Sequence, residues 1–454
     1  MDDWAVYNGK TVDLRRKMTE IVNGLKEVQG FASIVSMPRF SQPADIGDVP
    51  NAQTLRTFMS KATSKALQFA KTTFGDPFMI AYSSGTTGMP KCMVHSIGGA
   101  LVSAAKEGIL HREIGPDAVT LQYTTTGWIM YFSSIVSLIP GARVVLYDGS
   151  PFQPDITTFI KLAGSQKVTM LGISPKWLNE IKKNSIVPKN VSDLSSLKTV
   201  CSTGMVLSNQ IFEWFYDTAF PPHVHLANIS GGTDLAGCFG LENPLTVLYA
   251  GGTQGPCLGT PVAVYDTRIE GGRGVKGVAV PAGTPGELVA TAAFPNMPLK
   301  FWNDPMGKKY FSAYFEKYDK VWTHGDFVAF HPITGQLIFL GRADGVLNPS
   351  GVRFGSAEIY GVLEARFPQV SESVCVGQKR PQDEDESVML FLLMKPGEKF
   401  TQKLVADVKA AIRHELSARH VPKYVFDTPA IPVCHTLSSL SGLFLLFVFL
   451  VHVL

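Results

Sequence analysis

The rhythm of apolar and polar positions changes along the chain. From residue 1 to about 75 polar residues dominate, and the stretch reads as mostly helical, with Pro and Asp loops near 38–50. From Pro77 onward short apolar runs, FMIAYSS (78–84), ARVVLYD (142–148) and KVTMLGIS (167–174), alternate with helix-like stretches such as GGALVSAAKEGILHR (98–112) and PDITTFIKLAGS (154–165). That alternation predicts parallel β-sheet with crossover helices, an α/β fold. Residues 250–300, rich in Gly and Pro around GELVATAAF (286–294), predict a small β subdomain. A boundary falls near GRADGVLNPSG (341–351), and the sequence beyond it predicts a small α+β unit. Its elements are a helix at 356–367, a strand at 370–377, an acidic turn at 381–386, a very apolar strand at 387–397 and an amphipathic helix at 401–420. The expected domains are 1–343, 344–432 and a compositionally foreign hydrophobic tail, 433–454.

Composition narrows the class. A length of 454 residues suggests roughly two or three domains. With 45% hydrophobic and 17% charged residues there is ample material for a core, which excludes wholesale disorder. Lys plus Arg number 41 against 38 Asp plus Glu, so the net charge of +3 is too small to argue for nucleic acid as the main partner. Cys92, Cys201, Cys238, Cys257, Cys375 and Cys434 are scattered and form no CxxC, which argues against a disulfide framework or zinc ribbon and suits a reducing compartment. The N-terminus has no basic region followed by an apolar run, so a cytosolic location is expected. At the other end, residues 442–454 would span about 20 Å as a helix, short of a ~30 Å hydrocarbon layer. The tail 437–454 is read as an alternative, aggregation-prone C-terminus in preference to a membrane anchor.

Four segments carry chemistry. The strongest is Tyr82-Ser83-Ser84-Gly85-Thr86-Thr87-Gly88-Met89-Pro90-Lys91, an apolar strand running into hydroxyls and glycines and closing on a lysine. Glycines let backbone amides approach an anion, hydroxyls add donors and the lysine adds a point charge, which suits a polyphosphate. The second, Ser230-Gly231-Gly232-Thr233-Asp234, follows the apolar HVHLANI; Asp234 could bind Mg²⁺ and Thr233 a phosphate. The third, Trp322-Thr323-His324-Gly325-Asp326, offers a carboxylate that can take the two hydroxyls of a ribose. The fourth, residues 341–353, carries Arg342, Asp344 and Arg353 at the boundary and can act as a hinge that touches phosphate. Gly272, Gly274 and Gly277 satisfy GxGxxG but lie between polar RIEGG and VAVPAG with no helix following, so they read as a loop. His95 and His324 read as structural histidines, and no metal-ligand spacing links them.

In this order and at these separations the four segments resemble the adenylate-forming superfamily of acyl-CoA synthetases, firefly luciferase and peptide-synthetase adenylation domains. LNPSGVRFGSAEIY (347–360) looks like the acetyl-CoA synthetase type. MPKCMVHS (89–96), LYDGSP (146–151), NISGGTDLAG (228–237) and FPNMPLKFWNDP (294–305) look like the acetoacetate-activating type. The resemblance spans about residues 1–432. It implies a large α/β domain followed by a small α+β lid that turns about a hinge. It also implies ATP, Mg²⁺ and coenzyme A, with acetoacetate as the acid: an acyl-AMP forms with loss of pyrophosphate, and CoA thiol then displaces AMP. By the same resemblance Ser84, Gly85, Thr86, Thr87, Gly88 and Lys91 would hold the β- and γ-phosphates, Thr233 a phosphate and Asp234 the metal, in place of the more usual Glu. Gly204 would form the adenine wall and Asp326 would bind ribose. Arg342 and Arg353 would face the adenylate, Asp344 would be the hinge, Gly351 would line the pantetheine tunnel, and Trp128 would wall the acyl pocket.

Two departures are expected to matter. Relatives carry a longer N-terminal section, whereas the phosphate loop here begins at residue 82. The family's late Gly-Lys pair, whose lysine bridges carboxylate and ATP, has no counterpart: the match runs through Pro422-Lys423-Tyr424-Val425-Phe426 to Pro432, and no lysine follows Lys423. The expectation is a truncated acyl-CoA synthetase with impaired adenylation. The competing readings are another short- or medium-chain acyl-CoA synthetase and a non-catalytic nucleotide-binding fragment.

Overall fold

The computed structural model describes residues 1–7, 9–63, 68–83, 90–204, 207, 209–343, 346, 347, 349, 354, 355, 359, 360, 362, 363, 366–380 and 382–431. The chain forms two compact units, residues 1–72 with 147–162, and residues 73–146 with 163–454.

The first unit corrects the expectation that residues 1–75 are mostly helical. Trp4–Tyr7 and Lys10–Asp13 pair as an antiparallel hairpin. Ile34–Ser36 and Ala52–Thr54 pair in parallel. The helices are Arg15–Leu25 and the short Leu55–Met59, whose N-terminus is capped by the Thr54 hydroxyl accepting from Thr57 N. Polar composition misled here because small elements need only a few apolar anchors. Met18 and Val22, one helical turn apart, pack with Ile34 and Val49 and are enough to close a satellite core. Buried Asp3 ties the loops down by accepting from Arg39 N and Ala44 N.

At the centre of the second unit lies the parallel sheet that alternation predicts. Its five strands run in the order His225–Asn228, Thr199–Ser202, Met170–Ile173, Val119–Gln122 and Arg143–Val145, all parallel. Pro175–Lys183 and Asn209–Trp214 are among the crossover helices; the first starts at a Ser174 cap with proline in its first turn. Leu171, Val200, Leu226 and Trp177 are at most 1% exposed, as expected of a sheet covered on both faces. The motif segments CSTG, TTGW and NISGGTD each follow the C-terminal end of one of these strands, where open α/β sheets bind ligands.

FMIAYSS was expected in that parallel sheet and is not there. Pro77–Ser83 pairs antiparallel with Lys91–Ser96, which pairs antiparallel with Lys300–Phe301. The first strand ends at Ser83 and the second begins at Lys91, and so short a connection in sequence forces antiparallel pairing. The Gly/Pro-rich region supplies the first two strands of a second antiparallel sheet, in the order Val262–Tyr265, Gly286–Ala290, Trp322–Phe330, Leu337–Arg342. A third joins Ser230–Gly232, Gly237–Leu241 and Gly255–Pro256. The GxGxxG stretch is a loop. Nearer the C-terminus, Val370–Gln378, Ser387–Met394 and Tyr424–Asp427 form a three-stranded sheet with the helix Gln402–Glu415. Leu390, Leu392, Val408 and Ile412 are its fully buried core. The acidic turn is held by Asp383, whose carboxylate takes the guanidinium of Arg380 and is pulled down to about 2 by it. The tail at 433–454 lies outside the described residues; among those described, no helix is long and apolar enough to cross a membrane. Cys92, Cys201, Cys238, Cys257 and Cys375 are all free thiols.

Candidate active site

The three antiparallel sheets bring three of the four motif segments together. Lys91 opens the strand Lys91–Ser96, and its Nζ lies 3.1 Å from Asp234 Oδ1 although 143 residues separate them. The Tyr314 hydroxyl donates to the same oxygen at 2.5 Å, and the Tyr314 ring lies 5.1 Å from Lys91 Nζ. Tyr314 closes the helix Lys308–Tyr314 and stacks on Trp322 with centroids 3.7 Å apart and planes at 11°. Trp322 begins the strand that carries His324 and Asp326. Asp326 is 3% exposed, with the His324 ring nitrogen 3.7 Å from its carboxylate. One aromatic stack therefore joins the lysine–aspartate pair to the strand of the candidate ribose carboxylate.

The turn bearing Thr233 and Asp234 is fixed through its backbone. His95 Nε2 lies 3.0 Å from the Thr233 carbonyl, and Asn296 Nδ2 donates to the Leu235 carbonyl at 2.7 Å. Cys238 N donates to Glu107 Oε1 at 3.1 Å. Gly231 is required by close approach: a Cβ there would come within 2.1 Å of the Gly237 carbonyl oxygen. Burial pulls the His95 imidazole below its ordinary value of 6.5, against the opposing pull of the Thr233 carbonyl and Asp234. As pH falls through 6.5 the unfolded chain takes up a proton that the folded chain refuses, so stability falls until the lowered folded value is passed. His225, also depressed by burial, adds to the same trend. Chemical denaturation at pH 7.5 and pH 5.5 should show a loss at the lower pH, smaller in His95→Gln; equal pH slopes in the two proteins would contradict this.

Glu107 belongs to a buried ionic network. A π-helical turn, Lys106–His111, prolongs the helix Ile97–Ala105 and turns Glu107 and His111 inward. Arg112 Nε donates to Glu242 Oε1 at 3.1 Å, while its Nη2 lies 3.9 Å from Glu107 Oε2. Lys106 Nζ is 3.7 Å from Glu107 and 2.7 Å from Cys257 Sγ. Two cations and two anions so balance within the core. Desolvation pushes the Cys257 thiol up to about 12, which leaves it a protonated packing group.

Gly204 and Trp128 prove to be neighbours. Gly204 has φ +100, a conformation that L side chains rarely adopt, and a Cβ there would meet the Trp128 ring at 3.1 Å. The adenine-wall and acyl-pocket candidates therefore share one surface at the end of the parallel sheet. The backbone of Arg342 is paired opposite Asp326, but its side chain lies outside the described residues. Ser84, Gly85, Thr86, Thr87, Gly88, Asp344, Gly351 and Arg353 also lie outside them. Tyr314, Asn296, Glu107 and the contact role of His95 were not foreseen. Tyr314 sits in KKYFSAYF, where nothing in the spacing separates it from its aromatic neighbours.

The AMP-binding enzyme family model matches residues 21–294. The acetoacetyl-CoA synthetase of Danio rerio is 42% identical over 434 residues, covering 94% of this chain and 62% of that protein. The malonamoyl-CoA synthetase vrtB of Penicillium aethiopicum is 36% identical over 453 residues, 95% of this chain and 60% of that one. Among solved structures, the acetoacetyl-CoA synthetase from Streptomyces lividans superposes with a TM-score of 0.68 at 32% identity, over 95% of this chain and 62% of that one. The chain thus spans about three-fifths of the length of these relatives. Since the family match takes in the parallel sheet, the Lys91 strand and the turn at 233–234 together, the chain belongs to the AMP-binding enzyme family.

Proposed function

We propose that the chain binds ATP at this site and belongs to the chemistry of an acetoacetate–CoA ligase. The observation that carries the reading is the meeting of Lys91 and Asp234 at 3.1 Å, where Lys91 opens the strand that follows the hydroxyl- and glycine-rich segment in sequence. Lys91 would neutralise phosphate oxygens, with the Ser84–Gly88 hydroxyls and amides and the Thr233 hydroxyl as further donors. Among the described residues no group of three or more His, Cys, Asp or Glu could hold a metal by itself. A lone carboxylate suits Mg²⁺, which takes one or two carboxylates and completes its shell with substrate phosphates and water. Asp234 would supply that oxygen, and Mg²⁺ when bound would offset the phosphate charge. Asp326 would accept from the ribose hydroxyls, and Arg342 and Arg353 would face the adenylate.

In the adenylation half, a carboxylate oxygen of acetoacetate attacks the α-phosphorus and the bond to pyrophosphate breaks. In the second half, CoA thiolate attacks the acyl carbonyl and AMP leaves. Both steps are limited by charge meeting charge, which fixed cationic side chains and amides relieve. The names of the relatives support acetoacetate as the acid; a role in lipid synthesis, in the cytosol, follows from the same reading. The division into a large domain, a hinge at Asp344 and a lid, with Gly351 toward CoA, belongs to it too. The malonamoyl-CoA relative supports a second reading, ligation of another short acid, with Trp128 beside Gly204 setting the acyl choice. Competition among acids in a ligase assay separates the two.

No lysine follows Lys423 in this chain, and Lys423 Nζ is turned to Ser387 Oγ at 3.3 Å on the small sheet. Loss of a single preorganised donor to developing charge costs about 10²–10³ in rate. ATP with Mg²⁺ should therefore raise the melting temperature, while acetoacetate-dependent pyrophosphate exchange runs at least about 10²-fold below that of an acetoacetyl-CoA synthetase. Exchange at the relative's rate would refute the impairment. No thermal response to ATP would refute the nucleotide site.

A further inference from the structure

Alternation along Lys91–Ser96 puts Lys91, Met93 and His95 on one face, and that face meets the Thr233–Asp234 turn. Lys91 takes the Asp234 carboxylate, Met93 Sδ lies 3.6 Å from the Tyr314 hydroxyl, and His95 Nε2 lies 3.0 Å from the Thr233 carbonyl. His95 is 2% exposed and Met93 is fully buried. We propose that His95 is a positioning residue: with Lys91 it clamps the turn at two points, one on the side chain of Asp234 and one on the backbone of Thr233. The inference rests on the nucleotide reading of the site.

The two grips differ in what nucleotide does to them. Phosphate competes for Lys91, and a metal competes for Asp234. The backbone grip of His95 involves neither, so it can stay closed while the ionic grip opens. Without it, Thr233 and Asp234 would lose their aim when Lys91 turns to phosphate, and the ordering cost would fall on ligand binding. Asn296 at the Leu235 carbonyl and Glu107 at Cys238 N hold the far end of the same turn. His95 is the member of this set that shares a strand with Lys91.

The test uses the full chain and the affinity for ATP with Mg²⁺, measured by calorimetry. His95→Leu keeps the bulk and removes the donor; loss of one directed hydrogen bond predicts affinity about tenfold weaker. His95→Gln can present its amide N–H to the same carbonyl and should stay within about threefold of wild type. If His95→Leu fails to fold, His95→Asn, whose amide is too short to reach, takes its place with the same expected loss. The melting temperature of each variant without nucleotide separates a folding defect from a loss of binding. Equal affinity in wild type and the Leu or Asn variant overturns the clamp, as does a Gln variant as weak as Leu. Absence of ATP binding in the wild type overturns the nucleotide reading, and the clamp with it.

Discussion

Arg112→Met should lower folding stability by about 3–5 kcal/mol, because it leaves two carboxylates in the core without their main counter-charge. The Arg112 side chain is 7% exposed and that of Glu242 is 2% exposed, with 3.1 Å between Nε and Oε1. Glu107, 3.9 Å from the guanidinium, would keep Lys106 at 3.7 Å as its one counter-charge among the described residues. Burial opposes the charge on Arg112, yet the carboxylates of Glu242 and Glu107 hold its ionisation above the ordinary guanidinium value. Methionine matches the stem of the side chain, so the loss is one of charge more than of volume. The double variant Arg112→Met with Glu242→Gln should recover part of the deficit, since contacting members of one network do not add. Denaturant unfolding of the nucleotide-free protein measures both. A single-variant loss under about 1 kcal/mol would mean that water already reaches this cluster. The same substitution should disturb the candidate site, because Glu107 also holds Cys238 N at the end of the 233–238 turn.

Trp322→Ala should cost a comparable amount, about 3–5 kcal/mol, by removing a fully buried ring from a packed aromatic cluster. Trp322 is 1% exposed, stacks on Tyr314 at 3.7 Å and meets Phe294 edge-on at 5.5 Å. Here the functional consequence is more specific than the loss of stability. Tyr314 is aimed at Asp234 by that stack, so ATP-linked thermal stabilisation should fall along with the melting temperature. Trp322→Phe keeps an aromatic face and should restore more than half of the stability. An Ala variant with unchanged ATP response would show that Tyr314 keeps its place without the indole.

The His95 substitutions and the pH profile probe the same turn at a smaller scale. Together with the two core variants they ask whether the candidate site is preorganised from below by Glu107, from one side by His95, and through the aromatic stack by Tyr314.

How much of this could be read in the sequence differs by element. Part of the parallel sheet could be read because ARVVLYD and KVTMLGIS are apolar runs followed by helical stretches, and local periodicity is all that a βαβ unit requires; Val119–Gln122 and Thr199–Ser202 mix polar with apolar residues and carry no such mark. The three-stranded sheet and helix near the C-terminus could be read for the same reason. The phosphate loop, Thr233–Asp234 and Asp326 stood out because hydroxyl, glycine and carboxylate residues directly after apolar strands are chemically unusual. Pairing partners of Pro77–Ser83 could not be read, since an apolar strand carries no mark of its neighbour's direction. The fold of residues 1–75 was hidden because four apolar side chains close its core, too few to set a period.

The sequence alone therefore determined which residue types are present for phosphate, ribose and metal chemistry, and the α/β frame that carries them, because those depend on neighbours within a few residues. Only the tertiary structure decided which of them meet. The Lys91–Asp234 contact spans 143 residues, Tyr314 reaches Asp234 across 80, and His95 reaches Thr233 across 138. Such pairs are selected by sheet register and by the need to satisfy buried polar groups, and neither leaves a local trace in the chain.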